Sequence, residues 1–377
     1  MLFRSNLMRI SIKKDNIGRD EVQRTLEKWV ESISPKPKKV LLLPPDYTRS
    51  HSQAGLITNL LYKIWIPETQ VEIMPALGTH NPMSDEEKRR MFGPEIPQDR
   101  FFVHDWRNEI VKIGAIPGDY VSRVSGGLVD FTIDVEISRR LLDEEYDLVV
   151  SVGQVVPHEV VGMANYTKNI LVGCGGRDII NKSHILGAAY GMERIMGRDE
   201  SPVRKVFDYA EERFLNRIPL QYILTVIGTV EDEQRLNGLF IGRDRGLFEE
   251  AVAVSQDKNL TLMEKPLSKV VVYLDPEEYK STWLGNKAIY RTRMAIADEG
   301  ELIILAPGVR EFGEDKTNDA IIRKYGYLGS EKVLALIDRE EDLRNNLSAA
   351  AHLIHGASEG RFSITYAPVY LSREEIE

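Results

Sequence analysis

The sequence predicts a mixed α/β protein: two α/β domains with mostly parallel sheets and an active site in the cleft between them. Three observations carry this expectation. Short apolar runs of strand length alternate with stretches at helical spacing along most of the chain. The 377 residues exceed what one ordinary hydrophobic core organises. Glu264-Lys265-Pro266-Leu267 reads as a linker with a new Val-rich run behind it, which divides the chain into 1–264 and a smaller 267–377.

In chain order, Val22, Leu26, Trp29, Val30 and Ile33 fall at helical spacing, and Pro35 and Pro37 end that helix. Lys39 to Leu43 reads as a buried strand, followed by the loop Pro44-Pro45-Asp46-Tyr47-Thr48-Arg49. A helix over about 53–65 and a strand at Val71 to Met74 follow, then the loop Leu77-Gly78-Thr79-His80. Ser84 and Glu87 have the spacing of a capping box, so a helix starts there. Short strands are expected at Phe101–Val103 and Phe131–Val135, and a buried strand at Leu148 to Val152. Helices near 177–195 and 201–216, a β-rich run from Tyr222 to Val230 and a helix near 244–256 complete the first part. Beyond the linker come a strand at Val270 to Leu274, a helix over 284–298, a strand at Leu302 to Leu305 and helices near 330–338 and 340–355.

A net charge of −9 argues against a nucleic-acid or anionic-membrane surface. One cysteine excludes a disulfide framework and suits a reducing compartment. The opening residues lack the apolar core of a signal peptide, and no apolar run approaches the ~20 residues needed to span a bilayer. The expectation is a cytoplasmic protein with a small-molecule partner, no nucleic acid and no membrane.

The stretch from Gly153 to His184 concentrates the chemistry. His158 follows Pro157 just past the Leu148–Val152 run, and His80 follows Gly78-Thr79 past another strand, the positions where open α/β sheets hold ligands. Histidine moves protons near neutral pH and, when neutral, ligates metals; a hydrogen-bonded loop histidine is the bland alternative. Arg49, three residues after Asp46, can grip a carboxylate or phosphate with two parallel hydrogen bonds, or simply form a surface ion pair. Lys168 sits among uncharged polar residues, where a lysine serves as nucleophile, phosphate partner or plain surface charge. Gly173, Gly175 and Gly176 precede a helix and can bring backbone amides against an anion, although their spacing is neither the dinucleotide nor the P-loop pattern.

Together, Asp-x-Thr-Arg at 46–49, Leu-Gly-Thr-His at 77–80, Pro-His at 157–158, Lys168 ten residues later and His184 sixteen beyond that resemble the nickel-dependent lactate racemase family. The resemblance covers most of the N-terminal part and, more loosely, the C-terminal one. It implies a nickel pincer nucleotide, a pyridinium mononucleotide that chelates nickel through sulfur and carbon, loaded with the help of cofactor-synthesis enzymes. It further implies His80 and His158 as the catalytic acid/base pair and His184 as the metal ligand. Lys168 would tether the cofactor, and Asp46 and Thr48 would support it; helix-terminus physics, not the resemblance, would place the glycine turn with Gly175 and Gly176 near its phosphate. Arg49 would orient the substrate. The implied reaction is racemisation or epimerisation of a 2-hydroxy acid by proton-coupled hydride transfer, with two histidines because the hydroxyl points differently in the two epimers.

Departures from the family pattern bear on the substrate. Ala164-Asn165-Tyr166-Thr167 stands where the lactate enzymes have Ser-Gly-Gly-Ala, and Asn81 where arginine is common. In Ile289-Tyr290-Arg291-Thr292-Arg293-Met294, Arg291 falls on a substrate-contacting glutamine and Met294 on a lysine. Arg291 as a substrate-binding residue offers a longer, forked donor, which favours an acid larger or more polar than lactate, such as a sugar acid. Lactate itself, a metal-assisted hydrolase or lyase built on the three histidines, and a non-catalytic cofactor-binding protein are the competing readings.

Overall fold

Buried Val and Leu runs make the sheet that positions everything else. The computed structural model describes residues 7–376. It divides into two units, the first comprising the chain up to Val124 with Asp130–Ile180 and Gly197–Leu260. Ser125–Val129, Asn181–Met196 and the chain from Thr261 onward make the second.

The first unit carries strands β1 (Ile10–Lys13), β2 (Lys39–Leu43), β3 (Gln70–Ile73), β4 (Ile110–Ile116), β5 (Ile133–Ser138), β6 (Leu148–Gln154), β7 (Pro157–His158), β8 (Gly162–Met163), β9 (Leu220–Val230) and β10 (Glu233–Gly242). Six of them form one sheet in the order β1-β10-β9-β6-β2-β3. β9, β6, β2 and β3 run parallel, and β10 and β1 close the other edge antiparallel. β6 is buried along its whole length, as a central strand covered on both faces must be.

Helices α1 (Arg19–Glu31) and α2 (Ala54–Trp65) cover this sheet. Their Val22, Leu26, Trp29, Ile57, Leu61 and Trp65 join Val40, Leu42, Val150 and Val152 in one core. The rings of Trp29 and Trp65 meet edge to face at 6.0 Å. Helix α3 (Asp85–Phe92) begins at the expected capping box, with both the Ser84 and Glu87 bonds formed. Helices α4 (Gly118–Ser125), α5 (Thr167–Leu171), α6 (Arg177–Tyr190), α7 (Pro202–Arg213) and α8 (Arg245–Asn259) follow. β4 and β5 form a separate antiparallel pair, and β7 and β8 a two-residue hairpin.

The second unit is built on three parallel strands, β11 (Leu267–Tyr273), β12 (Ile296–Ala306) and β13 (Phe362–Pro368), with β12 in the centre. The stretch 284–298, expected as one helix, is two short helices, α9 (Thr282–Gly285) and α10 (Lys287–Thr292), and then the start of β12. The stretch 340–355 likewise breaks into Glu341–Asn345 and Leu347–His355. Asn346 ends the first piece and caps the second, its side chain accepting from Ala349 N–H. Among the described residues no helix is long and apolar enough to cross a membrane.

Candidate functional site

β6, β2 and β3 lie side by side and parallel, so their carboxyl ends emerge along one edge of the sheet. The chain leaves β2 for β3 on one side and returns to β6 on the other, which puts the reversal of strand order between β2 and β6. The loops after these three strands carry Asp46, Thr48 and Arg49, then His80, then His158. Asn169 ties the reversal point together: its side-chain amide donates to the Leu43 carbonyl at 3.0 Å and to Ser151 Oγ at 2.8 Å.

After β2 the chain turns into a short 3₁₀ helix, Tyr47–Ser52, capped by Asp46. One Asp46 oxygen accepts from Thr48 N–H at 3.1 Å and from the Thr48 hydroxyl. The other accepts from His80 Nδ1 at 2.5 Å. Burial works to raise the Asp46 pKa, but the His80 bond and charge and the two Thr48 donors outweigh it and hold the carboxyl below its ordinary value. Asp46 is buried while the His80 side chain is 59% exposed, so the ring is held at one nitrogen and presented at the other. Sequence reading places Asp46 on the cofactor; its bonds here go to Thr48 and His80.

His158 sits in the β7–β8 hairpin and is buried. Val160 N–H donates to its Nδ1 at 3.1 Å, and a Glu159 carboxylate oxygen lies 3.8 Å from the same nitrogen. A neutral ring accepting at Nδ1 carries its proton on Nε2, whereas His80, donating from Nδ1 to a carboxylate, has Nε2 bare when neutral. When both rings are neutral, these bonds favour opposite tautomers.

Lys168 is the second residue of α5. The two residues before the helix, Asn165 (φ 65°) and Tyr166 (φ 57°), have left-handed backbones without being glycine. They stand where the resembled family has its two glycines, so a positive φ is adopted here without the permissive residue. Burial, joined by the Arg49 and Arg204 charges and opposed by Glu159 and Asp46, pulls the Lys168 pKa down to about 8. Its electrostatic neighbours therefore include the loops after β2 and β6. Neither the Lys168 amine nor the Arg49 guanidinium has a hydrogen bond or ion pair among the described residues.

The amides of the glycine turn bond within the protein. Gly175 N–H donates to the Val172 carbonyl, Gly176 N–H to the Glu136 carbonyl, and Asp178 N–H to the Glu136 carboxylate at 3.0 Å. These three amides are bonded inside the protein, and an acidic side chain already stands at the start of α6. Gly175 and Gly176 permit close packing: a Cβ at Gly175 would stand 1.9 Å from the Leu171 carbonyl oxygen, and one at Gly176 2.6 Å from the Glu136 side chain. His104, which sequence reading missed, donates from Nε2 to the Gly175 carbonyl at 2.9 Å and fixes the same turn.

His184 lies on α6, which passes into the second unit at Asn181, and it is half-buried. No group of three His, Cys, Asp or Glu side chains placed to hold a metal is found among the described residues. In the second unit Arg291 is exposed, and the cost of a buried unpaired arginine does not arise there. The buried arginine of that segment is Arg293, 2% exposed, which pairs with Glu193 at 2.6 Å and donates to the His355 carbonyl at 3.1 Å.

Comparison with known proteins adds three findings. Residues 7–194 match a family described as the lactate racemase N-terminal domain. A crystal structure of a Thermotoga maritima protein superposes with a TM-score of 0.82 at 24% identity, over 97% of this chain and 91% of that one. The lactate racemase apoprotein from Thermoanaerobacterium thermosaccharolyticum superposes with a TM-score of 0.73 at 20% identity, over 97% of this chain and 84% of that one. No curated protein matches the chain.

Proposed function

Because the chain belongs to the lactate racemase family through its N-terminal domain, we propose that it racemises or epimerises a 2-hydroxy acid with a nickel pincer nucleotide. The observation that carries this reading is the convergence of Arg49, His80 and His158 on the carboxyl ends of three adjacent strands, with the Lys168 amine in the same electrostatic neighbourhood.

The residues present suit such a cofactor. Lys168 and Arg49 are neighbouring cations without a bonded anion among the described residues, a setting that favours an anionic ligand. A lysine amine with a pKa near 8 is partly unprotonated at neutral pH and able to attack. His184 would supply the protein's ligand to nickel. When bound, the cofactor supplies an electrophilic centre that takes the carbon-bound hydrogen of the substrate as hydride.

The chain's own work is to bind the acid and move the hydroxyl proton. Arg49 takes the carboxylate. His80, oriented by Asp46, accepts the hydroxyl proton of one epimer at Nε2. His158 serves the other epimer, acting as acid in one direction and base in the reverse. Arg291 and Met294, in place of a glutamine and a lysine, support an acid longer or more polar than lactate. That support now rests on the change of donor alone, because Arg291 is exposed.

The test is protein produced with and without the cofactor-synthesis enzymes. Matured protein should hold about one nickel and exchange solvent deuterium into a panel of lactate, malate, 2-hydroxyglutarate and aldonates, while unmatured protein should be inactive. His184→Ala should fold and lose the nickel. His80→Ala and His158→Ala should keep the cofactor and lose roughly 10²–10⁴-fold in turnover. Full nickel retention in His184→Ala would sink the cofactor assignment. Efficient lactate turnover with no gain for hydroxylated acids would sink only the substrate preference.

A further inference from the structure

Arg204 is fully buried, at 0% exposure, on the first turn of α7. Its Nη1 donates to Thr167 Oγ1 at 2.6 Å and its Nη2 to the Met163 carbonyl at 2.7 Å. Those two acceptors lie on either side of the bend at Asn165 and Tyr166. Ser201, the cap of the same helix, adds a third anchor by donating from its hydroxyl to the Val161 carbonyl at 3.1 Å. The guanidinium also faces the Phe248 ring at 4.5 Å, and that ring stacks on Tyr166 at 4.8 Å. One side chain thus touches Met163 ahead of the bend, Thr167 behind it, and the Phe248 ring on which Tyr166 stacks.

We propose that Arg204 is a positioning residue for the cofactor lysine: it staples both flanks of the Asn165–Tyr166 bend and so fixes where the Lys168 amine is presented. The proposal rests on the reading of Lys168 given above. Packing alone does not account for an arginine here. A buried cation bonded only to a hydroxyl and a carbonyl carries a desolvation cost that an apolar side chain of similar volume would avoid. The nearby carboxylates do not explain it either, since Asp199 and Asp208 bond to Arg245, at 2.7 and 3.1 Å. The planar fork lets a single side chain reach two acceptors four residues apart. Two consecutive non-glycine residues at positive φ persist only where the surroundings over-determine them, and this fork is a large part of those surroundings.

The experiment uses the full chain without cofactor. Lys168 is acetylated over a range of pH and read peptide by peptide, with the exposed Lys36 as internal reference. The groups that bear on the Lys168 amine are Arg49, Glu159, Arg204 and Asp46, and none but Arg204 is altered. In the wild type the Lys168 profile should have its midpoint near 8. Arg204→Lys keeps the charge and loses the fork; Thr167→Val keeps Arg204 and removes one acceptor. Each should move the midpoint upward by about one unit, a tenfold loss of free amine at a given pH, as the lysine is released toward its ordinary value. After maturation both should show lower cofactor occupancy.

If Arg204→Lys fails to fold, Thr167→Val alone decides the matter. Folded variants with the wild-type profile would overturn the proposal and leave Arg204 as core filling. A wild type that takes up no cofactor, with the profile shift still present, would overturn the functional reading of Lys168 instead.

Discussion

His80 is oriented by a carboxylate fixed earlier in the chain: Asp46 is anchored by Thr48 before its second oxygen meets the ring. Replacing Asp46 by Asn keeps the shape but lets the amide donate, which favours the wrong tautomer of His80. Turnover should fall within the ~10²–10⁴-fold range of acid–base groups, with nickel content unchanged. An Asp46→Asn enzyme with normal rates would show that the bond does not orient a catalytic ring. Lys168 makes the opposite kind of prediction, one of stability. Its pKa is lowered in the folded state, so between about 8 and the ordinary value of about 10.4 the unfolded chain binds the extra proton. Stability from this group is therefore full above that window and lost as the pH falls through it. Lys168→Met should melt higher than the wild type at pH 7, and the difference should close as the pH approaches 10.5. A variant that melts lower at every pH would contradict the assigned burial cost.

At the scale of elements, the bend before α5 shows how a strained segment is held. Asn165 Oδ1 accepts from Tyr166 N–H at 2.7 Å, and the Tyr166 ring packs on Tyr222 and Phe248 while its hydroxyl donates to the Arg243 carbonyl. Gly153 is required opposite, since a Cβ there would stand 1.9 Å from the Asn165 amide nitrogen. Asn165→Gly should be nearly neutral because glycine adopts positive φ without penalty. Asn165→Ala should cost about 1–3 kcal/mol, measured as a lower urea midpoint at unchanged slope. Equal midpoints for the two variants would mean that the backbone there is not strained. Elements with strong apolar periodicity were legible from the sequence alone: α1, α2, β2 and β6 lie where Trp29, Leu61, Leu42 and Val150 predict them. So was the placement of Asp46, His80 and His158 just beyond strand ends, which the apolar runs and the Pro or Gly behind them mark. β1, β4, β10 and β13 were not, because residues such as Lys13, Lys112, Gln234 and Ser363 interrupt any continuous apolar run and half-buried strands give a weaker signal. Arg204 carries no local signal at all; its role arises only from folding α7 back onto the 163–167 segment.

At the scale of the whole molecule, the acid limit of stability should be set in part by the second unit, far in sequence from the loops that carry His80 and His158. His352 there is 5% exposed, stacked on Trp283 at 4.3 Å. Its two ring nitrogens meet the Tyr290 hydroxyl at 3.0 Å and the Tyr327 hydroxyl at 3.2 Å. Those partners satisfy a neutral imidazole, one as donor and one as acceptor, and provide no carboxylate for an imidazolium. Burial, assisted by the charge of His355, pushes the His352 pKa down to about 3. In the unfolded chain the same group titrates near the ordinary value of about 6.5. Between the two the unfolded state binds the additional proton, so the stabilisation by neutral His352 is complete above about 6.5 and declines as the pH falls toward 3, by up to about 1.4 kcal/mol per unit. His352→Gln removes the titration while leaving a donor and an acceptor in place. The variant should be less stable than the wild type at pH 7, having lost the stack on Trp283, yet its stability should vary less between pH 7 and 5. Hydrogen exchange of the Leu347–His355 helix at the two pH values reads this directly, because it reports the unit that contains the histidine. Wild-type and variant helices that lose protection by the same factor on acidification would place the acid-sensitive group elsewhere.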